Sequence, residues 1–191
     1  MKNLYFLLAL VAVTACNKST NKTPYVILKG EIKNHQENTL VVKGNGFEQE
    51  IEVNNEGKFQ DTLFVEENYY TISHNREYTA AYLKPGFVLH LAFNTVEFDE
   101  SVAYNGIGAI ENNFLARKYL TMEKALPATP ELYALNSEQF LDKITNFRNA
   151  IETSLAGYEF SEEFKMRELK NITYDYIASI QKYPSYHKHF A

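Results

Sequence analysis

The sequence predicts an α+β protein: an antiparallel β-sandwich or half-open barrel, followed by a C-terminal helical segment of about three helices. Between residues 25 and 105, short apolar or β-branched runs alternate with turn residues at the spacing typical of antiparallel strands. Past Gly106 the hydrophobic pattern changes to the period of about 3.6 residues that is typical of a helix. A chain of this length can bury a core of its own.

The first sixteen residues have the layout of an export signal. Lys2 provides a positive start, residues 4–13 form an unbroken apolar run, and residues 13–16, Val-Thr-Ala-Cys, close it. The run is shorter than the ~20 residues of a membrane-spanning helix. The ending resembles the bacterial lipobox, in which the cysteine becomes the lipidated N-terminus of the mature protein. We therefore expect acyl chains such as palmitate on Cys16; the alternative is an ordinary signal peptide whose cysteine is incidental.

Residues 17–24 are polar and are expected to form a flexible tether to the membrane. This segment contains no carboxylate. In one group of Gram-negative bacteria, acidic residues soon after the lipidated cysteine resemble a signal for display on the cell exterior. Their absence favours a lipid-anchored protein of the cell envelope that faces the periplasm from the outer membrane.

Eight strands are predicted in residues 25–105, which we expect to form the β domain. Turn residues such as Gly44-Asn45-Gly46 and Pro85-Gly86 separate them. The predicted strands are 25–32, 39–43, 49–53, 58–65, 69–73, 78–83, 88–93 and 101–104.

Three amphipathic helices are predicted in residues 106–184, at 110–124, 136–156 and 162–183. Ser161 can cap the third helix, and Pro184 is expected to end it, so that residues 185–191 form a solvated tail. We expect the apolar stripes of these helices to be buried. The stripes are Phe114, Leu115, Tyr119 and Met122; Phe140, Ile144, Phe147, Ile151 and Leu155; and Leu169, Ile172, Tyr176, Ile180 and Tyr183.

Charge and cysteine content exclude several classes of function. The net charge is -5 and the lysines are scattered, so we expect no nucleic-acid binding by this chain. Cys16 is the only cysteine. Once it carries lipid, no thiol is left for a disulfide framework, a redox centre, a thiolate nucleophile or a cysteine zinc site.

The histidines do not predict a metal or catalytic site. His187 and His189 are two residues apart and would face apart on a helix, with no further ligand nearby in the sequence. His35 and His74 fall in predicted turns and His90 in a predicted strand, and spacing suggests no triad partner for any of them. We expect no catalytic residue, metal or cofactor in this chain.

Two further motifs have simple interpretations. Glu97, Asp99 and Glu100 lack the ladder of ligands that a calcium loop needs, so a solvated turn is expected. Asp61-Thr62-Leu63 resembles a short O-glycosylation motif of exported proteins in the same bacterial group. Thr62 is therefore a candidate for modification.

Three segments are informative together: Gly57-Lys58-Phe59, residues 82–91 with the following 97–99, and residues 104–115. They resemble the N-terminal region of TlpA-like thiol:disulfide oxidoreductase lipoproteins. In that family a lipoprotein signal, a β-rich domain and a helical segment precede a thioredoxin-like domain. The Trp-Cys-X-X-Cys motif of that domain has no counterpart here, so the resemblance implies no catalytic residue. We expect either a chain cut short before that domain or a relative that lost it.

Two functions follow from this interpretation. The first is a non-catalytic accessory module that positions a periplasmic protein partner or a downstream thioredoxin-like domain. The second is a stand-alone lipoprotein that binds a glycan or peptide on exposed tyrosines. An exposed patch of Tyr69, Tyr70, Tyr78 and Tyr82 would favour the second function, and burial of these rings between sheet and helices would favour the first.

Overall fold

A computed structural model describes residues 23–191 and confirms the α+β architecture. In this part of the chain, eight strands form two four-stranded sheets and are followed by a mainly helical segment. Every predicted strand has a counterpart, with small differences at the ends. The strands are β1 (Val26–Lys33), β2 (Thr39–Gly44), β3 (Phe47–Glu52), β4 (Lys58–Leu63), β5 (Asn68–His74), β6 (Glu77–Leu83), β7 (Val88–Asn94) and β8 (Ala103–Ile107).

The strands form two sheets with a shared core between them. Sheet 1 has the order β4-β1-β7-β8, and sheet 2 has the order β3-β2-β5-β6. Neighbouring strands are antiparallel except β1 and β7, which run parallel with Gly30 opposite Leu91. The prediction of a purely antiparallel sandwich is wrong for this pair. The alternation of apolar and polar residues along a strand predicts which face is buried. It does not predict whether a partner strand that is distant in the sequence runs parallel or antiparallel.

Alternate residues of the strands fill the space between the sheets. In β4, Phe59 and Leu63 are buried while Gln60 is exposed. Leu28 of β1 and Leu89 of β7 lie in the same core with no exposed surface. Each buried side chain of this size stabilises the fold by about 1.5–3 kcal/mol relative to an exposed one.

The three predicted helices are confirmed, and two short ones accompany them. The structure has α1 (Phe98–Ser101), α2 (Ala109–Ala125), α3 (Thr129–Ala134), α4 (Ser137–Ala156) and α5 (Glu162–Phe190). The sequence analysis missed α1 and α3 because helices of 4 and 6 residues are too short to display a period. The predicted cap of α5 is confirmed, since the Ser161 hydroxyl accepts a hydrogen bond from the Phe164 backbone N–H at 3.3 Å.

Helix α5 continues through Pro184 to Phe190, so the predicted end of the helix is wrong, although most side chains of residues 185–191 are exposed as expected for a tail. A proline inside a helix removes one backbone hydrogen bond and costs ~3 kcal/mol. Contacts on both sides of the proline offset this loss. The Tyr183 hydroxyl donates to the Leu135 carbonyl oxygen at 2.8 Å, and His187 Nδ1 lies 2.8 Å from a carbonyl oxygen of α3.

The buried face of α5 differs from the predicted stripe. Leu169 is 44% exposed and Ile180 is 37% exposed, although both were expected in the core. Ile172 of the predicted stripe is buried, together with Phe164 and Glu168, which the prediction did not include; the three lie four residues apart. The sequence analysis did not include Glu168 in the core because carboxylates are seldom fully buried.

Helices α2 and α5 cover the outer face of sheet 2 near β6. The ring of Tyr82 packs against the rings of Phe164 and Tyr69, with centroid separations of 5.0 and 5.4 Å. Gly108, at the start of α2, has a φ of 96° and lies against the Phe87 ring, where a Cβ would come within 2.2 Å of a ring carbon. Within residues 23–191, no helix combines the length and hydrophobicity that crossing a membrane requires.

Candidate functional site

A cavity of about 420 Å³ lies where α2, α4 and α5 meet the outer face of β6. We call it the helical cleft. Protein pockets that bind small molecules typically have a similar volume, mainly apolar walls and a few polar groups. Its principal apolar walls are Leu115, Met122, Ile144, Phe147, Ile151 and Ile172.

Strand β6 contributes Ala80 to the helical cleft. Ala80 and Tyr82 share the outer face of the strand, because side chains two residues apart point the same way. The Tyr82 ring fills the space next to α5, whereas the single methyl group of Ala80 leaves space open. Because Ala80 is small and Tyr82 is large, the cavity lies next to the packed ring of Tyr82.

A buried ion pair lies beside the helical cleft. Lys118 Nζ is 3.1 Å from Glu168 Oε2, and Glu168 has no exposed surface. The other Glu168 oxygen accepts a hydrogen bond from Asn171 Nδ2 at 3.2 Å. Lys118 Nζ also lies 3.9 Å from a carboxylate oxygen of the exposed Asp175. Both Glu168 oxygens thus have a donor, which a buried carboxylate requires.

The hydroxyl of Tyr69 is buried near Glu168 and has no hydrogen-bond partner among the described residues. Burial, and then the negative charge of Glu168, raise the pKa of Tyr69 far above the usual value for a tyrosine. This hydroxyl therefore keeps its proton at neutral pH and does not act as a base.

Arg148 and Tyr176 form the polar side of the helical cleft. The guanidinium carbon of Arg148 lies 5.0 Å from the centre of the Tyr176 ring, and Arg148 Nε donates to Glu152 at 2.7 Å. The Tyr176 hydroxyl lies 3.2 Å from the hydroxyl of Thr145. Cation–π contact and hydrogen bonds thus hold both side chains in place.

A second polar network joins the sheet to α5. The Tyr82 hydroxyl donates to Glu67, whose carboxylate is 3.0 Å from Lys84 Nζ. Lys84 also lies 3.6 Å from Glu163, which binds Arg167 at 3.2 Å. Burial disfavours ionisation of Glu67, but the hydrogen bonds from Tyr82 and Lys84 outweigh it and hold its pKa below the usual value.

A wider concavity of about 960 Å³ lies on the outer face of sheet 1. Lys29, Lys58, Glu31 and Glu52 contribute charges of both signs to it, together with His90. The mixture gives no preference for a ligand of either charge.

The two predicted modification sites are placed differently. Cys16 lies outside the described residues, and its lipidation stays a prediction. Thr62 is partly exposed in β4, at the edge of sheet 1. Its backbone N–H donates to Asp61 Oδ1 at 2.7 Å. O-glycosylation of Thr62 also stays a prediction.

The four tyrosines proposed as a binding platform do not form an exposed patch. Tyr70 and Tyr82 are buried, Tyr69 is partly buried, and Tyr78 is 64% exposed. Tyr70 belongs to the core of the sandwich and Tyr82 packs under α5. Tyr70 and Tyr82 thus hold layers of the structure together.

The histidines do not form a cluster within the described part of the chain. His74 belongs to β5 and not to the predicted turn, and its Nδ1 lies 2.9 Å from the Thr39 carbonyl oxygen in the core. His35 and His90 are at the surface. His187 contacts α3, while the neighbouring His189 packs against Phe190. Residues 23–191 contain no group of three His, Cys, Asp or Glu side chains suited to hold a metal ion.

The acidic cluster forms part of α1 and not the predicted turn, because Asp99 and Glu100 belong to this helix and Glu97 precedes it. Burial raises the pKa of Asp99, and the charges of Glu123, Glu77 and Glu100 raise it further.

The sequence analysis missed the helical cleft, whose residues come from four elements distant in the chain. One signal was available. Phe164, Glu168 and Ile172 are four residues apart, so a carboxylate stands in the middle of an apolar helix face. A charge at such a position requires a buried partner, which here is Lys118.

Comparisons with known proteins give little further information. No family model and no curated protein matches the chain. One similar solved structure is a DUF3823 family protein from Parabacteroides merdae, at 17% identity and a TM-score of 0.27. The match covers 44% of this chain and 47% of the other, so it spans about half of that protein's length. A likeness this distant carries no argument about fold or function.

Proposed function

We propose that this chain is a non-catalytic accessory module of the cell envelope, held to the periplasmic face of the outer membrane by lipid on Cys16. Its role is to position a periplasmic protein partner or a thioredoxin-like domain. The observation that carries this proposal is the burial of aromatic rings between sheet 2 and the helices. Tyr82 packs there against Phe164, Tyr69 and Phe87.

This aromatic packing supports a rigid spacer. Helix α5 has 29 residues, which corresponds to a length of about 43 Å. Its first turns pack against sheet 2 through Phe164, and its later turns pack through Tyr183 against Phe140, with ring centroids 4.4 Å apart. Contacts along its length make the helix suited to hold a partner at a fixed distance from the sandwich.

The absence of a second cysteine from the sequence supports a non-catalytic role. Thiol–disulfide exchange requires a thiolate that attacks a disulfide sulfur, and usually a second cysteine that resolves the mixed disulfide. Cys16 is the only cysteine, and its sulfur becomes a thioether when it is lipidated. We therefore assign no redox step to this chain.

Metabolic labelling with an alkyne fatty acid tests the anchor. We expect label on the wild type and none on Cys16→Ser, while the control Ser19→Ala labels like the wild type. The unlabelled variant should also leave the membrane fraction. Equal labelling of wild type and Cys16→Ser would overturn the anchored-module proposal.

An insulin-reduction assay tests the non-catalytic role. The purified chain should be no more active than a blank without protein. Activity above the blank would disprove the accessory role. A fusion to a thioredoxin-like domain should be active, and crosslinking should place that domain at one fixed position relative to α5; a domain that crosslinks at random would contradict positioning.

A further inference from the structure

We propose that the helical cleft binds an amphipathic carboxylate, a molecule with one linear hydrocarbon chain and one anionic head group. This site goes beyond the positioning role, which needs no small-molecule ligand. The proposal rests on the volume of the cavity, on its apolar walls and on the distribution of charge around it.

The walls favour a hydrocarbon chain. Leu115 and Ile151 are buried where α2 and α4 meet, and Met122 and Phe147 extend the apolar surface outwards. Tyr119 and Met122 were expected in the core, yet they are 39% and 38% exposed and line the helical cleft. Apolar side chains that remain accessible inside a concave surface gain most when an apolar ligand covers them.

The charges favour an anionic head group. Three cations, Lys118, Arg148 and Lys182, line the helical cleft together with one carboxylate, Asp175. Asp175 lies near Lys118, at 3.9 Å. Lys182 is seven residues further along α5, which is about 10 Å from Asp175 along the helix axis. Lys182 therefore places a positive charge at the end of the cleft away from Asp175.

The pairing of these cations shows which of them is available. Glu168 neutralises Lys118 inside the structure. Arg148 uses Nε to bind Glu152, which leaves its two terminal nitrogens for a further acceptor. Lys182 forms no ion pair within the described residues. A ligand carboxylate would therefore contact Lys182.

Other ligand classes fit less well. The hydroxyl groups of a glycan would be desolvated against walls that are mainly apolar, and they would not gain hydrogen bonds in return. A cationic head group would meet the positive charges of Lys182 and Arg148. A neutral alcohol of the same chain length would fill the cavity without using these charges.

Calorimetry with three ligands of equal chain length tests the proposal. The full chain carrying Cys16→Ser is titrated with laurate, dodecanol and dodecyltrimethylammonium, each below its micellar concentration. For dodecanol, which forms no micelles, the limit is its solubility. We expect laurate to bind at one site per chain, about tenfold more tightly than dodecanol, with the cationic ligand weakest. Equal affinity for the three ligands, or binding of laurate at many sites, would overturn the proposal.

Variants locate the ligand. Lys182→Gln should weaken laurate binding about tenfold and leave dodecanol binding unchanged, whereas the control Lys170→Gln, on another face of α5, should change neither. Ala178→Leu and Ser179→Leu extend side chains into the helical cleft and should abolish binding of laurate, while Ala150→Leu, on the exposed surface of α4, should not. Thermal unfolding identifies which filling variant is folded. Unchanged laurate affinity in a folded filling variant would place the ligand elsewhere and disprove the site.

Discussion

Asn112 and Asn113 are adjacent on α2, and each binds the backbone of the edge strand of a different sheet. Asn112 accepts from the Tyr82 N–H at 2.8 Å and donates to the Tyr82 carbonyl oxygen at 2.9 Å. Asn113 forms the same pair of bonds with Tyr104, at 2.9 and 2.8 Å. The two side-chain amides form hydrogen bonds that a neighbouring strand would otherwise form with β6 and with β8. They satisfy edge groups that would otherwise be open to pairing with another chain.

We expect Asn112→Leu to lower the free energy of unfolding by about 3 kcal/mol, because it leaves buried backbone groups of Tyr82 without partners. Asn113 is less buried, and Asn113→Leu should cost about 1 kcal/mol. Chemical denaturation measures both losses. The control Asn149→Leu, on the exposed face of α4, should stay within about 0.5 kcal/mol of the wild type. A cost for Asn112→Leu no larger than that of the control would contradict this role.

The buried pair of Lys118 and Glu168 gives a second prediction. Lys118→Met should destabilise the protein by about 3 kcal/mol, because it leaves a buried carboxylate without its cation. Adding Glu168→Gln should recover part of this loss, since an amide in the same place carries no charge. A double-mutant cycle from denaturation curves measures the coupling.

The exposed Lys124 on the same helix provides the matched control for this cycle. Lys124→Met also removes one positive charge but leaves no buried carboxylate unpaired, so its effect on the free energy of unfolding should be small. If the effects of Lys118→Met and Glu168→Gln are additive, the two residues are not coupled, and the ion pair does not stabilise the fold.

The strands could be predicted from the sequence because their signal is local. Phe59 and Leu63 alternate with Gln60 and Phe64, and this pattern alone states which side is buried. The parallel pairing of β1 with β7 could not be predicted, since no local pattern identifies a partner so far along the chain. The continuation of α5 past Pro184 depends on tertiary contacts of Tyr183, so it could not be predicted from the local sequence either.

The candidate site was less predictable than the fold. Ala80, Lys118, Arg148 and Lys182 meet only because four elements pack together. Glu168 was the one local sign, a charge in the middle of an apolar helix face. Burial of Tyr82 depends on which face of sheet 2 the helices cover, and composition contains no information about that.

The hydrogen bond from Tyr82 to Glu67 gives a prediction that depends on pH. Tyr82→Phe keeps the ring packing against Phe164 and removes the donor, so we expect a loss of about 1 kcal/mol at pH 7. The folded-state pKa of Glu67 is below its unfolded value, so the stabilisation is complete above the ordinary pKa of about 4.3 and is lost as pH falls through the folded value. The difference between wild type and variant should therefore shrink in acid.

Denaturation at several pH values measures this difference. Tyr174→Phe serves as the control, because Tyr174 is 61% exposed on α5. The control should show little loss at any pH. A loss for Tyr82→Phe that stays constant from neutral to acid pH would show that Glu67 is not its partner.

Asp99 should show the opposite dependence on pH. Burial and three neighbouring carboxylates raise its pKa, so its ionised form opposes folding. Asp99→Asn should therefore raise the melting temperature at pH 7. The penalty is absent below the ordinary pKa of about 3.9 and grows as pH rises through the folded value, so the gain should vanish in acid. We measure thermal unfolding of Asp99→Asn from acid to neutral pH, with the exposed Asp142→Asn as the control. Both variants lose one negative charge, so the comparison separates the repulsion at Asp99 from a general effect of net charge. An equal gain in the control at pH 7 would mean that net charge, and not the neighbours of Asp99, sets the effect.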